Sequence, residues 1–193
     1  MPPKQTFTKE IVEQAAFDVV RSGGYALLSA RTVSEKLGSS TMPIYSYMKS
    51  MDAINRSIRE KALVTLSEYQ LREYTPNALL NMAVGYVFFA QEENQLFRFL
   101  YFDKPDTLTM SEQHNIGSRI KRETGKEVDL NMYFNLANAD EMDDITLKSW
   151  FFTHGLAVAL MSGAVERMDE SRIISLLTEA GSAFYEWVQK RKK

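Results

Sequence analysis

The apolar residues of this chain recur every three to four positions along most of its length. This spacing places them on one face of an α-helix, and no segment shows the strict apolar–polar alternation of a half-buried strand. The stripe in the first segment consists of Ile11, Val12, Ala15, Ala16, Val19 and Val20. The pattern predicts an all-α protein.

Start and stop signals place the first helices. Thr8 precedes the first apolar stripe as an N-cap, and Gly23-Gly24 ends that helix because glycine adopts the left-handed conformation at low cost. Ser29 and Gly38 bound a second, shorter helix in the same way. Both helices are therefore predicted from local chemistry alone.

A third helix of about two turns is predicted to begin at Ser40, its N-cap. Pro43 falls in its first turn, where the missing N–H costs little. Ile44 and Met48 are its predicted buried side. A long fourth helix follows over residues 51–73, and Thr75-Pro76 reads as the start of the next one. The remaining helices are predicted near 76–93, 94–103, 111–124, 128–138, 144–167 and 170–189.

Composition restricts the chemistry. The 193 residues include no cysteine and two histidines, His114 and His154. The missing cysteines exclude disulfides, zinc–thiolate and iron–sulfur sites and thiol nucleophiles, and they are compatible with a reducing cytosol. The N-terminus has no signal-peptide pattern, and no window of eighteen apolar residues predicts a membrane span. We therefore expect a cytoplasmic protein with no metal site and no cofactor.

Charge is unevenly distributed between the two ends of the chain. Residues 1–61 hold nine Lys/Arg against six Asp/Glu, a net charge of +3, whereas the remainder holds fourteen against nineteen, a net charge of −5. A DNA-binding module needs only a locally positive potential, because phosphates are neutralised at the contact surface. The asymmetry is compatible with such a module but does not by itself require one.

Two short helices joined at Gly38 match the helix-turn-helix pattern. In that motif the outer face of the second helix enters the DNA major groove. Here the outer face offers Thr41, Met42, Tyr45 and Ser46, which supply hydroxyls for base edges or phosphates and a methionine able to contact a thymine methyl. An ordinary helical hairpin in an all-α protein is the alternative that these residues leave open.

The amino-acid sequence of the same segment resembles that of the tetracycline-repressor (TetR) family of bacterial regulators. The resemblance extends from Thr8 to Ile58 and is strongest in SARTVSEKLGSSTMPIYSYMKSMDAI, from Ser29 to Ile54. The L-G-x-S and [LI]-Y-x-[HY] elements fall at the spacing of that family. The matching positions are Arg31, Val33, Leu37, Gly38, Ser40, Ile44, Tyr45, Tyr47, Lys49, Asp52 and Ile54. Beyond residue 60 the resemblance consists of the helix count alone.

One departure from the family pattern bears on DNA binding. The family's lysine at the start of the fourth helix, which usually lies near a phosphate, is Met51 here, and Asp52 beside it is unfavourable to an anion. We expect Lys49, Tyr45 and Tyr47 to provide more of the anchoring to phosphates.

The resemblance implies an architecture and a function. It implies a three-helix helix-turn-helix DNA-binding domain over residues 1–50 and a helical effector-binding and dimerisation domain over 51–193. A homodimer would bind a double-stranded, inverted-repeat operator and respond to an unknown small-molecule effector, as a repressor released by ligand or, alternatively, as an activator. The candidate DNA-binding residues are Ser29, Arg31, Ser40, Thr41, Met42, Tyr45, Ser46, Tyr47 and Lys49.

The last two predicted helices are candidates for the dimer interface. From Trp150 to Ala164, bulky apolar residues alternate with small ones such as Gly155 and Gly163, a mixture that allows close helix approach. We therefore expect the homodimer to form through the helices near 144–167 and 170–189. A purely intramolecular core is the alternative.

The middle of the chain is rich in aromatic and methionine side chains. Such residues can line an apolar cavity, although they are as often plain core. The family resemblance favours a ligand pocket, and the candidate lining residues are Phe89, Phe97, Tyr101, Trp150 and His154. For His154 taken alone, a structural role is the other interpretation.

Two rival functions belong to other classes. A helical protein–protein adaptor that has lost DNA binding would explain Met51. A small all-α enzyme is disfavoured, because the sequence contains no paired catalytic carboxylates in a recognisable setting, no phosphate loop and no Ser–His motif. We therefore expect no enzymatic activity and assign no catalytic residue.

Overall fold

The computed structural model describes residues 7–105 and 139–190, and every regular element in these ranges is helical. The prediction of an all-α protein is confirmed. The helices are α1 (Lys9–Gly23), α2 (Ala30–Lys36), α3 (Thr41–Met48), α4 (Met51–Gln70), α5 (Ala78–Glu92), α6 (Asn94–Arg98), α7 (Ala139–Met161) and α8 (Glu170–Lys190). A 3-10 turn, Tyr25–Leu27, follows α1, and a π-helical turn, Phe99–Asp103, follows α6. The predicted helices near 111–124 and 128–138 lie outside the described residues.

The first helices begin and end at the predicted signals. Thr8 caps α1 by accepting from the Ile11 N–H at 3.4 Å. Ser29 and Thr32 form a capping box on α2, each side chain accepting from the other's backbone N–H at 3.1 Å. Gly38, with φ +62°, ends the segment in the left-handed region that glycine favours.

Two details of these helices differ from the predictions. Ser40 occupies the N-cap position of α3, but its side chain makes no capping hydrogen bond. Ile11, predicted on the buried stripe of α1, is exposed, whereas Phe17 is buried. The buried face of α1 is centred on Val12, Ala16 and Val20, so Ile11 falls at its edge.

The later helices show larger corrections. α5 begins at Ala78, not at Thr75-Pro76, because the Asn77 side chain caps it by accepting from the N–H groups of Leu79 and Leu80. The predicted helix over 94–103 is α-helical only to Arg98. The helix predicted near 144–167 spans Ala139–Met161, and Gly163, with φ +73°, lies just beyond its end.

The described residues divide into two compact units. The first contains residues 7–63 and 95–105, and the second contains 64–94 and 139–190. The predicted domain boundary at residue 50 lies within the first unit. That unit extends beyond residue 50 because Ile54 and Ile58 of α4 are buried. Residues 95–105 also belong to it, and within this segment the ring of Phe99 packs against that of Tyr25, with ring centroids 5.5 Å apart.

In the second unit, α7 packs against both α5 and α8, and α8 also packs against α5. Its fully buried side chains include Leu66, Phe89 and Ile173. At Gly85, α5 lies close against the backbone of α4. A Cβ atom at Gly85 would overlap the Tyr69 carbonyl group and lie 2.7 Å from the backbone nitrogen of Gln70. Because the obstructing atoms are backbone, no side chain can move aside to make room.

We predict that Gly85→Ala destabilises the protein although alanine is the better helix former. Overpacking typically costs about 1–3 kcal/mol, which outweighs a gain in helix propensity of up to about 1 kcal/mol. Gly155→Ala is the matched control, because a Cβ there meets nothing within 4 Å in the single chain, and in protein diluted to the monomer it should be neutral or slightly stabilising. The measurement is the free energy of unfolding in urea. A Gly85→Ala protein as stable as the wild type would contradict this account of the α4–α5 contact.

Candidate functional site

Helix α3 is held in the first unit by one of its faces. Ile44 is fully buried and Met48 nearly so, as predicted, and they lie in a core that also includes Val12 and Val33. α3 contacts α1 and α2, and α1 contacts α2. The three short helices therefore form a packed group in which α3 contributes its inner side.

The opposite face of α3 is uncovered. Met42 is 83% exposed and Tyr45 is 60% exposed, and Pro43 and Ser46 are exposed as well. Thr41 is half-buried. The residues predicted to face DNA on the outer side of α3 thus share one surface, with Thr41 at its edge.

Some of the hydroxyl groups on α3 already donate within the protein. Ser46 Oγ donates to the Pro43 carbonyl at 2.8 Å. Tyr47 is half-buried, and its Oη donates to the Phe7 carbonyl at 2.6 Å. This hydrogen bond links α3 to the segment that precedes α1. A phosphate contact from the Tyr47 hydroxyl, as the sequence suggested, would require this hydrogen bond to be given up.

The other predicted contact residues flank α3. The Ser29 hydroxyl caps α2. Arg31 is exposed, and its Nε donates to Glu35 at 2.9 Å, an ion pair that raises the pKa of Arg31 and partly offsets its positive charge. Lys49, the C-cap of α3, is exposed. Lys36 was not among the predicted residues. It is exposed in the last turn of α2 and adds a cation near the turn between α2 and α3.

In the second unit the structure brings together two of the predicted pocket residues with a third side chain. The rings of Trp150 and His154 are stacked with centroids 5.1 Å apart. His154 Nδ1 lies 2.8 Å from Tyr86 Oη, within hydrogen-bond distance. Burial lowers the pKa of His154, so the imidazole is neutral at pH 7. The Trp150–His154–Tyr86 cluster therefore combines an aromatic surface with a polar, uncharged pair.

The remaining predicted pocket residues lie elsewhere. Phe89 is fully buried in the second unit and packs edge-on against Tyr69. Phe97 is fully buried in the first unit, where its ring centroid lies 4.8 Å from that of Tyr101. Both phenylalanines are core residues. Periodicity could not separate them from cavity-lining residues, because a core and an apolar cavity have the same sequence pattern.

A cleft of about 640 Å³ opens in the second unit between the start of α5 and the faces of α7 and α8. Its lining includes Asn77, Phe152, Leu177, Tyr185 and Glu186, and none of the five predicted pocket residues. No local sequence pattern indicates this cleft, because its lining comes from three helices and α5 lies far from α7 and α8 in the chain. Each of those helix faces taken alone resembles an ordinary amphipathic surface.

The same two C-terminal helices expose large aromatic side chains. Phe151, Phe152, Tyr185 and Trp187 are each at least partly exposed. Phe152 and Tyr185 also line the cleft. We call these four side chains the exposed aromatic patch, because large apolar groups exposed on two adjacent helices are typical of interaction surfaces.

Comparison with known proteins adds no assignment: no protein-family model matches the chain, and no curated protein matches its sequence. Within the ranges 7–105 and 139–190, no His, Cys, Asp or Glu side chains cluster in a way that could hold a metal ion. No helix in these ranges is both long enough and apolar enough to cross a membrane.

We predict that His154 makes the stability of the protein depend on pH. The unfolded histidine has a pKa of about 6.5, and the folded value is lower because the ring is buried. The unfolded state therefore takes up the proton first as the pH falls. Stability is fully present above the unfolded pKa and decreases as the pH drops from there toward the folded value.

The test compares the wild type with His154→Gln, which can still hydrogen-bond to Tyr86 but does not titrate. The free energy of unfolding in urea, measured at about pH 7.5 and pH 5.5, should fall more in the wild type. His114 is present in both proteins, so its contribution cancels in the comparison. Equal losses in the two proteins would contradict the prediction.

Proposed function

We propose that this chain is a dimeric, ligand-responsive transcriptional regulator that binds double-stranded DNA through α2 and α3 as a helix-turn-helix. The observation that supports the proposal best is the division of α3 into two faces. Ile44 and Met48 are buried, while Met42 and Tyr45 project from an uncovered side. A recognition helix must be packed against the protein on one face and exposed on the other, so that its side chains can contact base edges in the major groove.

The dimensions and charges of this region support the same function. An α-helix with its side chains is about 10–12 Å across, so α3 can enter a major groove that is about 12 Å wide. Lys36 is exposed in the last turn of α2, just before the turn that leads to α3, and Lys49 is exposed at the C-terminal end of α3. Cations at these places would contact phosphates and fix the position of the helix on the duplex.

The proposal includes a homodimer formed through α7 and α8. The exposed aromatic patch of Phe151, Phe152, Tyr185 and Trp187 supports it, because a second copy would remove these side chains from water. Two-fold symmetry would then present two recognition helices to an inverted-repeat operator, in major grooves about 34–36 Å apart.

The effector would bind at the Trp150–His154–Tyr86 cluster. A stacked indole and imidazole offer apolar contact, and the neutral His154–Tyr86 pair offers hydrogen bonding without the cost of burying a charge. α4 is a single helix with residues in both compact units. A displacement of its C-terminal half would therefore move Ile54 and Ile58, which belong to the unit that contains α3.

Regulation of this kind needs only modest energy. An effector shifts the balance between two conformations by its difference in affinity for them. A ~10–100-fold change in operator affinity corresponds to roughly 1.4–2.8 kcal/mol of coupling. The sign of the control, repression or activation, depends on which conformation the effector prefers.

We predict that Tyr45→Ala weakens specific DNA binding by about tenfold or more, since losing one base-pair contact typically costs about 1–3 kcal/mol. Tyr45 is 60% exposed, so its loss should leave the thermal unfolding temperature unchanged. The measurement is a gel shift with duplex DNA selected by the full-length chain from a random pool. Tyr45→Phe separates the hydroxyl from the ring. Unchanged affinity in Tyr45→Ala would refute the assignment, and failure to select any duplex would favour the adaptor.

We predict that Phe151→Glu converts the dimer to a monomer, because a carboxylate in a buried interface lacks a partner. Phe151 is 56% exposed in the single chain, so the substitution should not unfold it. Leu27→Glu is the matched control, since Leu27 is 54% exposed but belongs to the other compact unit. Light scattering coupled to gel filtration gives the mass of each protein. A monomeric wild type, or a dimeric Phe151→Glu protein, would contradict the proposed interface.

A further inference from the structure

The side chains of α3 lack the groups that usually read purines. In the major groove, guanine is recognised by arginine or lysine at O6 and N7, and adenine by asparagine or glutamine at N6 and N7. The eight residues from Thr41 to Met48 read TMPIYSYM and include none of these four residue types. Therefore α3 cannot make these bidentate contacts, and only hydroxyl groups and apolar side chains are available on it for sequence discrimination.

The uncovered face of α3 is mainly apolar. Met42 is the most exposed of the large hydrophobic side chains in the described residues, at 83%. Pro43 is exposed beside it, and the ring of Tyr45 projects from the next turn. The apolar group that base pairs display in the major groove is the C5 methyl of thymine. A thioether side chain suits such a contact because it is flexible and polarizable.

Hydrogen-bond donors on this face are fewer than the sequence suggests. The Ser46 hydroxyl donates to the Pro43 carbonyl at 2.8 Å, and the Tyr47 hydroxyl donates to the Phe7 carbonyl at 2.6 Å. Thr41 is half-buried. Apart from the hydroxyl of Tyr45, the exposed groups on α3 thus favour van der Waals contact over hydrogen bonding.

We propose that α3 recognises thymine C5 methyl groups, with Met42 as the contacting side chain. The inference rests on the proposed function and specifies its target: each operator half-site contains at least one thymine whose methyl group packs against Met42. The side chain of Met42 is exposed to water in the single chain, so contact with a methyl group removes apolar surface from water on both sides.

The experiment removes the methyl group from the DNA. Purified full-length protein selects duplexes from a random pool, and each thymine of the selected half-site is then replaced by deoxyuridine, one position at a time. Deoxyuridine keeps the base pair and every hydrogen-bonding atom and lacks only the C5 methyl. At one or more positions in each half-site, we expect binding to weaken about fourfold, the value for burial of one methyl-sized group, as measured by fluorescence anisotropy.

Protein variants then assign the effect to a side chain. Met42→Ala should bind the thymine and deoxyuridine duplexes with equal affinity, because the group that senses the methyl is gone. Leu27→Ala is the matched control, because it also shortens an exposed apolar side chain of the first unit, 54% exposed, at a position outside α2 and α3. This variant should still distinguish the two duplexes.

The outcomes separate this inference from the proposed function. If no duplex is selected, both are wrong. If a duplex is selected and binds equally well with deoxyuridine at every position, DNA binding stands and thymine recognition is overturned. If Met42→Ala still distinguishes thymine from deoxyuridine, the assignment to Met42 is overturned.

Discussion

Helix α3 is anchored on one side only, and the functional interpretation depends on this constraint. Ile44 and Met48 are buried in the core of the first unit. The turn that connects α2 to α3 contains Gly38, which has a positive φ. Because the inner side chains fix the rotation of the helix about its axis, they also determine which residues remain outside. Met42 and Tyr45 are exposed because Ile44 and Met48 take the buried side of the helix.

In the second unit the candidate binding groups lie outside the buried core. Gly85 allows α5 to approach the backbone of α4 near Tyr69, and α7 and α8 complete the packing around α5. The groups available for binding lie around this core: the stacked pair of Trp150 and His154, the cleft, and the exposed aromatic patch on the last two helices. The proposed effector would contact such peripheral groups, because a fully buried side chain such as Phe89 leaves no room for a ligand.

Helices α1 and α2 could be predicted from sequence because their signals are local. Thr8, Ser29 and Gly38 act within one helical turn, so spacing alone places the ends of α1 and α2. The Tyr47–Phe7 hydrogen bond joins residues forty positions apart, and no local pattern indicates it. The cleft was missed for the same reason, and Asn77 was missed because the Thr75-Pro76 pair gives an equally good local start signal two residues earlier.

The most direct test of the account follows the methionine methyl groups in solution. The protein carries ten methionines, and isotope labelling of their Cε atoms gives one resonance for each, with Met42 assigned through Met42→Leu. On addition of the selected duplex, the account predicts a large shift of the Met42 resonance and little change for buried Met48 on the other side of the same helix. Saturating DNA binding that leaves the Met42 resonance unmoved would contradict it.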